Sequence, residues 1–346
     1  MVTRDEVVRA YGALLERDPE DDSAIEHHLQ FGSFPDLCAA IISSDEFQNR
    51  FARKFGVGRN PLNISDLDHA VAAFERGDKH SFAGVNLRLP AWYSLGHSPE
   101  TEDYRDQIMR LWREITQREH YSPSVDEETP EMASADVIRS PGFYGAGDAH
   151  FSGEHLSAMG HILMRSGIGR GAVALEYGAG CGLAALAFAQ TGVNVHTVDV
   201  SSAFTGFVSR LAAHHGASIT AHKAEFGFNP LGQDGAYDLI YFYESFHHCL
   251  EFQKVIPKLR KMLKPGGSVL LAGEPIFDEQ CEGMPYPWGI RLDWENVAIM
   301  RIRGWMELGF QRDYLVEEFA KAGFRHEYFP DERTGFAKIY KFTAVD

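Results

Sequence analysis

Cysteine is scarce in this sequence, and its scarcity narrows the kinds of site that the chain can form. Only 4 of the 346 residues are cysteine, and no two of them form a CxxC pair. Structural zinc sites and the disulfide frameworks of small secreted domains need closely spaced cysteines, so neither is expected. Isolated thiols are typical of reduced cytosolic proteins, and we predict a cytoplasmic location and no metal site.

Long apolar runs and an excess of positive charge are missing as well. No stretch approaches the roughly 18–20 apolar residues of a membrane span, and residues 1–6 show no signal-peptide core, so no membrane span is expected. The formal net charge of −16 argues against a wide basic surface, and no nucleic-acid partner is expected. A composition of 44% apolar and 24% charged residues is that of an ordinary globular protein.

Residues 1–80 are predicted to form a small bundle of short helices. Ser23 and Glu26 have the spacing of a capping box at a helix start. Apolar side chains recur on one face of the first predicted helix: Val7, Val8, Tyr11, Leu14 and Leu15.

The motifs Arg9–Pro19 and Ile42–Phe47 resemble a bacterial helical domain of unknown function that is related to phycobilisome-linker repeats. The resemblance covers about residues 5–52. It implies that this module docks a protein partner and carries no chemistry of its own. A homodimer is a further interpretation that stays open.

Residues 81–150 are interpreted either as a plain linker or as a lid over the active site. A helix is predicted near Glu102–Arg118. Beyond it, Pro141–Gly147 has the glycine and proline content of a turn, and its Tyr144 is a candidate acceptor contact. Gating loops often have this composition, which keeps the lid interpretation open.

Alternating strand and helix patterns begin at about residue 151. This alternation is typical of a parallel, doubly wound α/β sheet. The strands are predicted at residues 172–177, 194–199, 218–222, 237–243 and 267–273. Near the end, a helix at Asp313–Ala322 precedes two closely spaced β-runs, at 325–329 and 337–343, which predict an antiparallel hairpin at the sheet edge.

The most informative motif is the glycine-rich turn after the first predicted strand. Glu176 ends the apolar run, and Gly178, Gly180 and Gly182 alternate before a helix-like segment begins at Leu183. Glycine tolerates positive φ and lets a ligand approach the backbone, and the next helix offers free N–H groups. The fingerprint of dinucleotide enzymes needs a glycine at position 183, so Leu183 disfavours a nicotinamide oxidoreductase.

Asp199 ends the second predicted strand. A carboxylate at this position can accept hydrogen bonds from both hydroxyls of a ribose. With Tyr237–His248 and Leu263–Leu271, these motifs resemble the class I S-adenosylmethionine-dependent methyltransferases over about residues 150–346. The resemblance implies a Rossmann-like, doubly wound, seven-stranded sheet with an antiparallel last strand, beside the N-terminal all-α domain. It also implies S-adenosylmethionine as the cofactor and S-adenosylhomocysteine as the product.

The same resemblance assigns the cofactor contacts. Glu176 has two interpretations: it complements the sulfonium charge, or it orients the glycine turn. Members of the family often have an acid where Lys223 stands, and Glu225 is assigned that role beside the adenine. The assigned contacts are Glu176, Gly178, Ala179, Gly180, Gly182, Asp199, Val200, Ala224, Glu225 and Tyr243.

The acceptor is expected beyond the fourth predicted strand, where Glu244, His247 and His248 are the candidate catalytic residues. Histidine titrates near neutrality, so one of the two histidines is predicted to be the general base. Glu274 ends the fifth strand and is predicted to face the acceptor. A divalent metal on Glu244, Glu274 and a histidine is the alternative arrangement.

Residues 276–311 form a long insert that is rich in tryptophan and arginine. It is interpreted either as a packed insertion or as the part that recognises the acceptor. Aromatic faces and charged side chains suit a sugar or a phosphorylated ligand, so Trp288 and Arg291 are predicted acceptor contacts. The segment also loosely resembles inserts of methyltransferases found near bacterial glycosyltransferases.

The predicted function is methyl transfer to a hydroxyl of a saccharide or glycan intermediate. One alternative is a small-metabolite C- or N-methyltransferase. Another is a scaffold in glycan assembly that binds the cofactor without catalysis. The acceptor of the enzyme would be a small molecule or a glycan.

Overall fold

The structure is a computed structural model that describes residues 2–44, 46–47, 61–128, 149–331, 334 and 337–345. The chain divides into two units, Met1–Trp92 with Leu292–Ala298, and Tyr93–Arg291 with Ile299–Asp346. The predicted domain boundaries at residues 80 and 150 stay predictions. None of the described helices combines the length and the apolarity that a bilayer span requires.

The first unit begins with helices, as predicted. Thr3 starts the first of them with a capping box, in which its Oγ1 accepts from the backbone N of Glu6 at 3.3 Å. The apolar faces of the first three helices share one core, to which Val7, Tyr11 and Leu37 contribute. The helices are α1 (Arg4–Leu15), α2 (Asp22–His28), α3 (Phe34–Ile42) and α4 (Leu67–Glu75).

The capping box predicted at Ser23 and Glu26 is wrong. The residue that caps α2 is Asp21, whose Oδ1 accepts from the backbone N of Ala24 at 3.0 Å and from the Ser23 hydroxyl at 2.7 Å. A carboxylate is a strong acceptor and its charge is favoured at a helix N-terminus, so Asp21 takes the place of the hydroxyl.

The second unit contains the strands β1 (Val173–Tyr177), β2 (Asn194–Asp199), β3 (Ile219–Lys223), β4 (Tyr237–Tyr243), β5 (Leu263–Ala272), β6 (Ile276–Phe277), β7 (Trp288–Ile290), β8 (Leu308–Gln311), β9 (Phe324–Phe329) and β10 (Ile339–Ala344). Seven of them form one sheet in the order β3-β2-β1-β4-β5-β10-β9. Strands β1–β5 are parallel, and β10 is antiparallel to both β5 and β9. The predicted fold class and edge hairpin are therefore confirmed.

Helices connect most of the parallel strands, although a loop without a helix joins β3 to β4, and the insert has a sheet of its own. β6, β8 and β7 form this second, three-stranded sheet in that order. The helices are α5 (Glu102–Thr116), α6 (Pro123–Asp126), α7 (Ala149–Ser166), α8 (Leu183–Gln190), α9 (Ser202–His215), α10 (Phe252–Met262), α11 (Trp294–Arg303) and α12 (Arg312–Lys321).

β5 begins earlier than predicted, because the Lys-Pro-Gly-Gly segment is a bulge within the strand. Tyr237 pairs with Leu263, and the next pairing of β4 already reaches Ser268. Lys264 Nζ lies 2.7 Å from Oδ2 of Asp238, an oxygen that also accepts from the first backbone N of β1 at 2.8 Å. The bulge thus joins the beginnings of β1, β4 and β5.

The sheet brings the predicted cofactor motifs to one edge. β3, β2, β1 and β4 are parallel neighbours, so their carboxyl ends meet on the same side. β2 and β3 lie on one side of β1, and β4 and β5 lie on the other, so the strand order reverses between β1 and β4. Doubly wound sheets bind their ligands at such a reversal. The glycine turn (Gly178–Gly182) after β1 and the histidine turn (Glu244–His248) after β4 are therefore neighbours.

Candidate active site

The backbone conformation of the glycine turn disfavours residues that have a side chain. Gly178, Gly180 and Gly182 have φ values of +68°, +50° and +68°, in the left-handed region that favours glycine. A Cβ on Gly178 would lie 2.5 Å from Cβ of Ser245, and one on Gly182 would lie 2.7 Å from Cγ2 of Val208. A Cβ on Gly180 would meet no described atom within 4 Å, so a ligand has room to approach this part of the backbone.

Asp199 is buried at the end of β2 and is held by the two loops around it. Its Oδ2 accepts from the backbone N of Gly180 at 3.1 Å, and its Oδ1 accepts from the backbone N of Ser201 at 2.8 Å. Burial raises the pKa of Asp199 to about 6, although these two donors oppose the rise. Each carboxylate oxygen has a second lone pair, so the ionised group can still accept from a diol.

Glu176 lies inside the protein and not at its surface. The residue is 2% exposed and is paired with Tyr241 across β1 and β4. Its Oε2 and the Tyr241 hydroxyl have no well-aligned hydrogen bond among the described residues. Burial raises the pKa of Glu176 to about 8, so the group is mostly neutral at pH 7. A neutral carboxyl adds no charge complementarity to a sulfonium, and this favours a role in orienting the glycine turn.

Four other predicted cofactor residues lie along the same edge. Ala179 O accepts a hydrogen bond within the glycine turn at 2.7 Å. Ala224 N donates to the last carbonyl of β2 at 3.1 Å. Val200 directly follows β2, and the exposed Glu225 follows β3. The sheet therefore brings these residues together, and their contacts with a cofactor stay predictions.

Tyr243 ends β4 and contacts α7. Its hydroxyl lies 3.0 Å from Nδ1 of His155, which is buried. Burial lowers the pKa of His155, so the imidazole is neutral at pH 7 and the pair is an ordinary hydrogen bond. Tyr243 connects α7 to the sheet beside the cofactor motifs, and its own cofactor contact stays a prediction.

Glu244 begins the histidine turn with a strained backbone. Its φ is +51°, a conformation that costs a residue with a side chain about 1–2 kcal/mol and that is concentrated at functional sites. The residue is exposed, yet the surrounding protein desolvates its carboxyl and raises the pKa to about 7. The charge of Glu274 adds to this rise, and Arg291 opposes it. The side chain is therefore accessible, although the surrounding protein removes much of the water from its carboxyl.

Glu274 supports the histidine turn through both of its carboxylate oxygens. Oε1 accepts from the backbone N of Ser245 and of Phe246, each at 2.8 Å. Oε2 accepts from the backbone N of His247 at 3.0 Å and lies 2.8 Å from its Nδ1. Burial would raise the pKa of Glu274, but His247 and the backbone donors outweigh it and lower the pKa. The side chain has no exposed surface, so a positioning role replaces its predicted acceptor contact.

Both ring nitrogens of His247 face carboxylates. Nδ1 faces Glu274, and Nε2 lies 3.6 Å from Oε2 of Glu307. Only 10% of the side chain is exposed. A general base needs a nitrogen that is directed at the acceptor proton, so this geometry counts against His247 as the predicted base.

His248 reaches the same cluster of acids as His247. The centroids of the two imidazole rings are 4.2 Å apart. Nδ1 of His248 lies 3.2 Å from Oε2 of Glu127, without hydrogen-bond alignment. Burial lowers the pKa of His248, but the charges of Glu127, Glu307 and Glu274 outweigh it and raise the pKa to about 9.

Glu127 and Glu307 are site residues that sequence reasoning missed. Oε2 of Glu307 lies 2.8 Å from Nη2 of Arg291, whose own acceptor contact stays a prediction. Oε1 of Glu127 accepts from the Tyr121 hydroxyl at 2.8 Å and from the backbone N of Met306 at 2.7 Å. Glu307 could have been found as an acid beside a buried β-run. Glu127 lies in an acidic run that has the pattern of a solvated surface.

Trp288 belongs to the core of the insert. It is 0% exposed, and its ring centroid is 5.1 Å from those of Tyr104 and Phe252. Its Nε1 donates to the carbonyl of Pro99 at 3.3 Å. A side chain without exposed surface cannot stack on a sugar, so a packing role replaces the predicted acceptor contact of Trp288. The other predicted aromatic contact, Tyr144, lies outside the described residues.

Comparisons with known proteins identify a methyltransferase domain in the chain. Residues 174–267, which extend from β1 into β5, match the model of a family described as a methyltransferase domain. No curated protein matches the chain.

Solved structures with similarity to the chain include three methyltransferases. A SAM-dependent methyltransferase from Aquifex aeolicus is 17% identical over 54% of this chain and 88% of that chain, with a TM-score of 0.40. The 1,6-didemethyltoxoflavin-N1-methyltransferase of Burkholderia thailandensis is 17% identical over 58% of this chain and 80% of its own, with a TM-score of 0.40. The geranyl diphosphate C-methyltransferase of Streptomyces coelicolor is 13% identical over 72% of this chain and 100% of its own, with a TM-score of 0.46. The chain carries a methyltransferase domain, its enzyme class is that of the S-adenosylmethionine-dependent methyltransferases, and S-adenosylmethionine is its cofactor.

Proposed function

We propose that this methyltransferase transfers the methyl group of S-adenosylmethionine to an acceptor hydroxyl at the histidine turn, where Glu244 takes the hydroxyl proton. The C–S bond of the sulfonium breaks, a C–O bond forms, and S-adenosylhomocysteine leaves. The methyl group is already activated, so the protein mainly aligns the acceptor and removes its proton. The observation that carries this proposal is the accessible carboxylate of Glu244, on a strained residue that begins the histidine turn directly after β4.

We assign the cofactor to the edge formed by β1–β4. The open space at Gly180 suits the methionine part of the cofactor, which lies against this turn in the family that the sequence resembles. Asp199 would accept the ribose hydroxyls, and Ala224 and Glu225 would lie beside the adenine. Glu176 would act indirectly, because it is buried beneath the turn.

A saccharide or glycan hydroxyl is the acceptor class to test first. Its support is the sequence resemblance of the insert, since the burial of Trp288 removes the argument from aromatic stacking. A small-molecule amine is the second candidate, because the carboxylates of Glu127, Glu244 and Glu307 lie around one turn and would attract a cation.

The test is transfer of labelled methyl groups to pooled saccharides and, separately, to pooled small amines. Loss of a general base costs about 10²–10⁴-fold, so kcat of Glu244→Gln should fall by that factor while binding of S-adenosylhomocysteine is unchanged. The kcat of the natural chain should rise as pH rises through about 7, because the base works as a carboxylate. The variant should lack this rise, and the exposed Glu119→Gln should behave like the natural chain.

Three outcomes separate the alternatives. Full activity of Glu244→Gln would exclude Glu244 as the base. Transfer to amines alone would select the second acceptor class. Binding of S-adenosylhomocysteine without transfer to either pool would favour the non-catalytic scaffold.

Protein docking by the N-terminal helices and a homodimer also stay predictions. The resemblance of residues 5–52 supports the first. Sedimentation of the purified chain at two concentrations would decide the second.

A further inference from the structure

The histidine turn contains a set of side chains with the composition of a metal site. One ring nitrogen of His247, one of His248 and one oxygen of Glu307 all lie within 4.8 Å of one another. It is the one such group in the part of the chain that the structure describes. We propose that these three residues hold a divalent transition-metal ion. The set differs from the predicted metal arrangement, because Glu307 replaces Glu244 and Glu274.

The separation between two of the ligand atoms fits an intervening ion. Nε2 of His247 and Oε2 of Glu307 are 3.6 Å apart, which is too long for a hydrogen bond. Two ligand atoms at bonds of about 2.1 Å around a tetrahedral ion are about 3.4 Å apart. The remaining distances to His248 are no greater than 4.8 Å, so rotation of side chains would close the site.

Each histidine also has a carboxylate behind it. Nδ1 of His247 lies 2.8 Å from Glu274, and Nδ1 of His248 lies 3.2 Å from Glu127. Metal-binding histidines commonly hold their second ring nitrogen against a carboxylate, which fixes the tautomer and the ring orientation. The carboxylate behind His247 directs its Nε2 toward Glu307.

The charges around the turn favour a cation. Glu127, Glu274 and Glu307 are 10%, 0% and 5% exposed at their side chains. Among the described residues, no lysine or arginine other than Arg291 lies within ion-pair distance of these three acids. Arg291 contacts Glu307. Buried carboxylates need compensating charge. A divalent ion, which displaces any proton from the ligand nitrogens of the histidines, would supply positive charge where these acids converge.

The ligand set selects the kind of ion and of acceptor. Imidazole with carboxylate suits Zn²⁺, Fe²⁺ or Co²⁺, whereas Mg²⁺ and Ca²⁺ prefer oxygen ligands alone. Three protein ligands leave a coordination position that takes an oxygen of the acceptor. This last step rests on the proposed hydroxyl acceptor, but binding of the ion does not.

The test is titration of the metal-free full chain with Co²⁺. Calorimetry and the visible absorption of the ion measure its binding. We expect one Co²⁺ per chain, and at least a tenfold loss of affinity in His248→Gln and in Glu307→Gln. Glu127→Gln should weaken binding about 10–100-fold, as outer carboxylates do. His222→Gln is the matched control: His222 lies 3.2 Å from another imidazole, that of His196, and its variant should bind Co²⁺ as the natural chain does.

Two results would overturn the proposal: no stoichiometric Co²⁺ binding by the natural chain, or equal binding by the natural chain and His248→Gln. Thermal unfolding accompanies each titration. If Glu307→Gln does not fold, the comparison rests on His248→Gln. His248 is partly exposed, so its replacement should disturb the fold less. Methyl transfer by protein that binds no Co²⁺ would refute the metal site and leave the proposed function standing. Co²⁺ binding without methyl transfer would refute the proposed function and leave the metal site standing.

Discussion

The glycine turn and the histidine turn lie side by side at the carboxyl ends of β1 and β4, but they are held in different ways. The glycine turn takes its shape from three left-handed glycines and from Asp199 at the end of the adjacent strand. The histidine turn depends on three acids, Glu127, Glu274 and Glu307, that come from separate segments of the chain. The glycine turn is thus built by backbone conformation, and the histidine turn by charges from segments that are distant in the chain.

The largest expected effect concerns the packing near the histidine turn. Trp288→Ala should lower the free energy of unfolding by about 3–5 kcal/mol, because it removes a fully buried aromatic ring beside Phe252. Tyr286→Ala, at a side chain that is 50% exposed, should stay within about 0.5 kcal/mol of the natural chain. Urea unfolding measures both. A role of Trp288 in sugar stacking would instead raise KM in Trp288→Phe without loss of stability.

The glycine turn can be divided into a part that serves the fold and a part that serves the ligand. Gly178→Ala adds left-handed strain and a clash with Ser245, and should cost about 2–4 kcal/mol of stability. Gly180→Ala adds the strain alone and should cost about 1–2 kcal/mol, but should weaken binding of S-adenosylhomocysteine more than its stability suggests. Unfolding and calorimetry together check this. Equal stability losses in the two variants would contradict the division.

Glu274→Gln tests whether the histidine turn depends on a buried charge. The amide keeps one acceptor but turns an NH₂ group toward backbone donors, so the variant should lose about 1.5–3 kcal/mol of stability. The exposed Glu279→Gln is the control and should change little. If urea unfolding shows no difference between the two variants, the turn is held by its packing and not by the carboxylate.

The smallest expected effect is a pH dependence at the cofactor edge. The pKa of Asp199 is raised from 3.8 to about 6, so the folded chain without cofactor binds more protons than the unfolded chain in this range. Its contribution to stability therefore falls as pH rises through this window. Ribose hydroxyls need the ionised form, so affinity for S-adenosylhomocysteine should fall about tenfold from pH 7 to pH 5. Calorimetry on Asp199→Asn should show no such fall, and a persistent fall would assign the titration to another group.

Regular patterns made much of the fold predictable. The strands β1–β4, the edge hairpin and the α/β class follow from apolar runs that alternate with amphipathic helices. β5 differed because its pairing continues through a bulge that looks like an ordinary turn in the sequence. The capping box at Ser23 failed because Asp21, two residues earlier, is the stronger acceptor.

The site was less predictable than the fold. Burial removed Trp288 and Glu274 from the predicted acceptor surface, although their residue types suited it. Glu127 and Glu307 were missed because nothing near either of them in the chain indicates which histidine it will meet. We propose Glu244 as the base instead of a histidine for the same reason: the partners of a side chain decide which of its atoms are available.

By itself, the sequence determined the parallel sheet, the glycine turn and the class of methyl donor, because glycine spacing, strand periodicity and the acid at the end of β2 are local features. Only the tertiary structure decided which acids surround the two histidines and which aromatic side chains are buried. Electrostatic contacts and burial depend on distances in space, and residues 127, 247, 274 and 307 become neighbours only once the chain has folded.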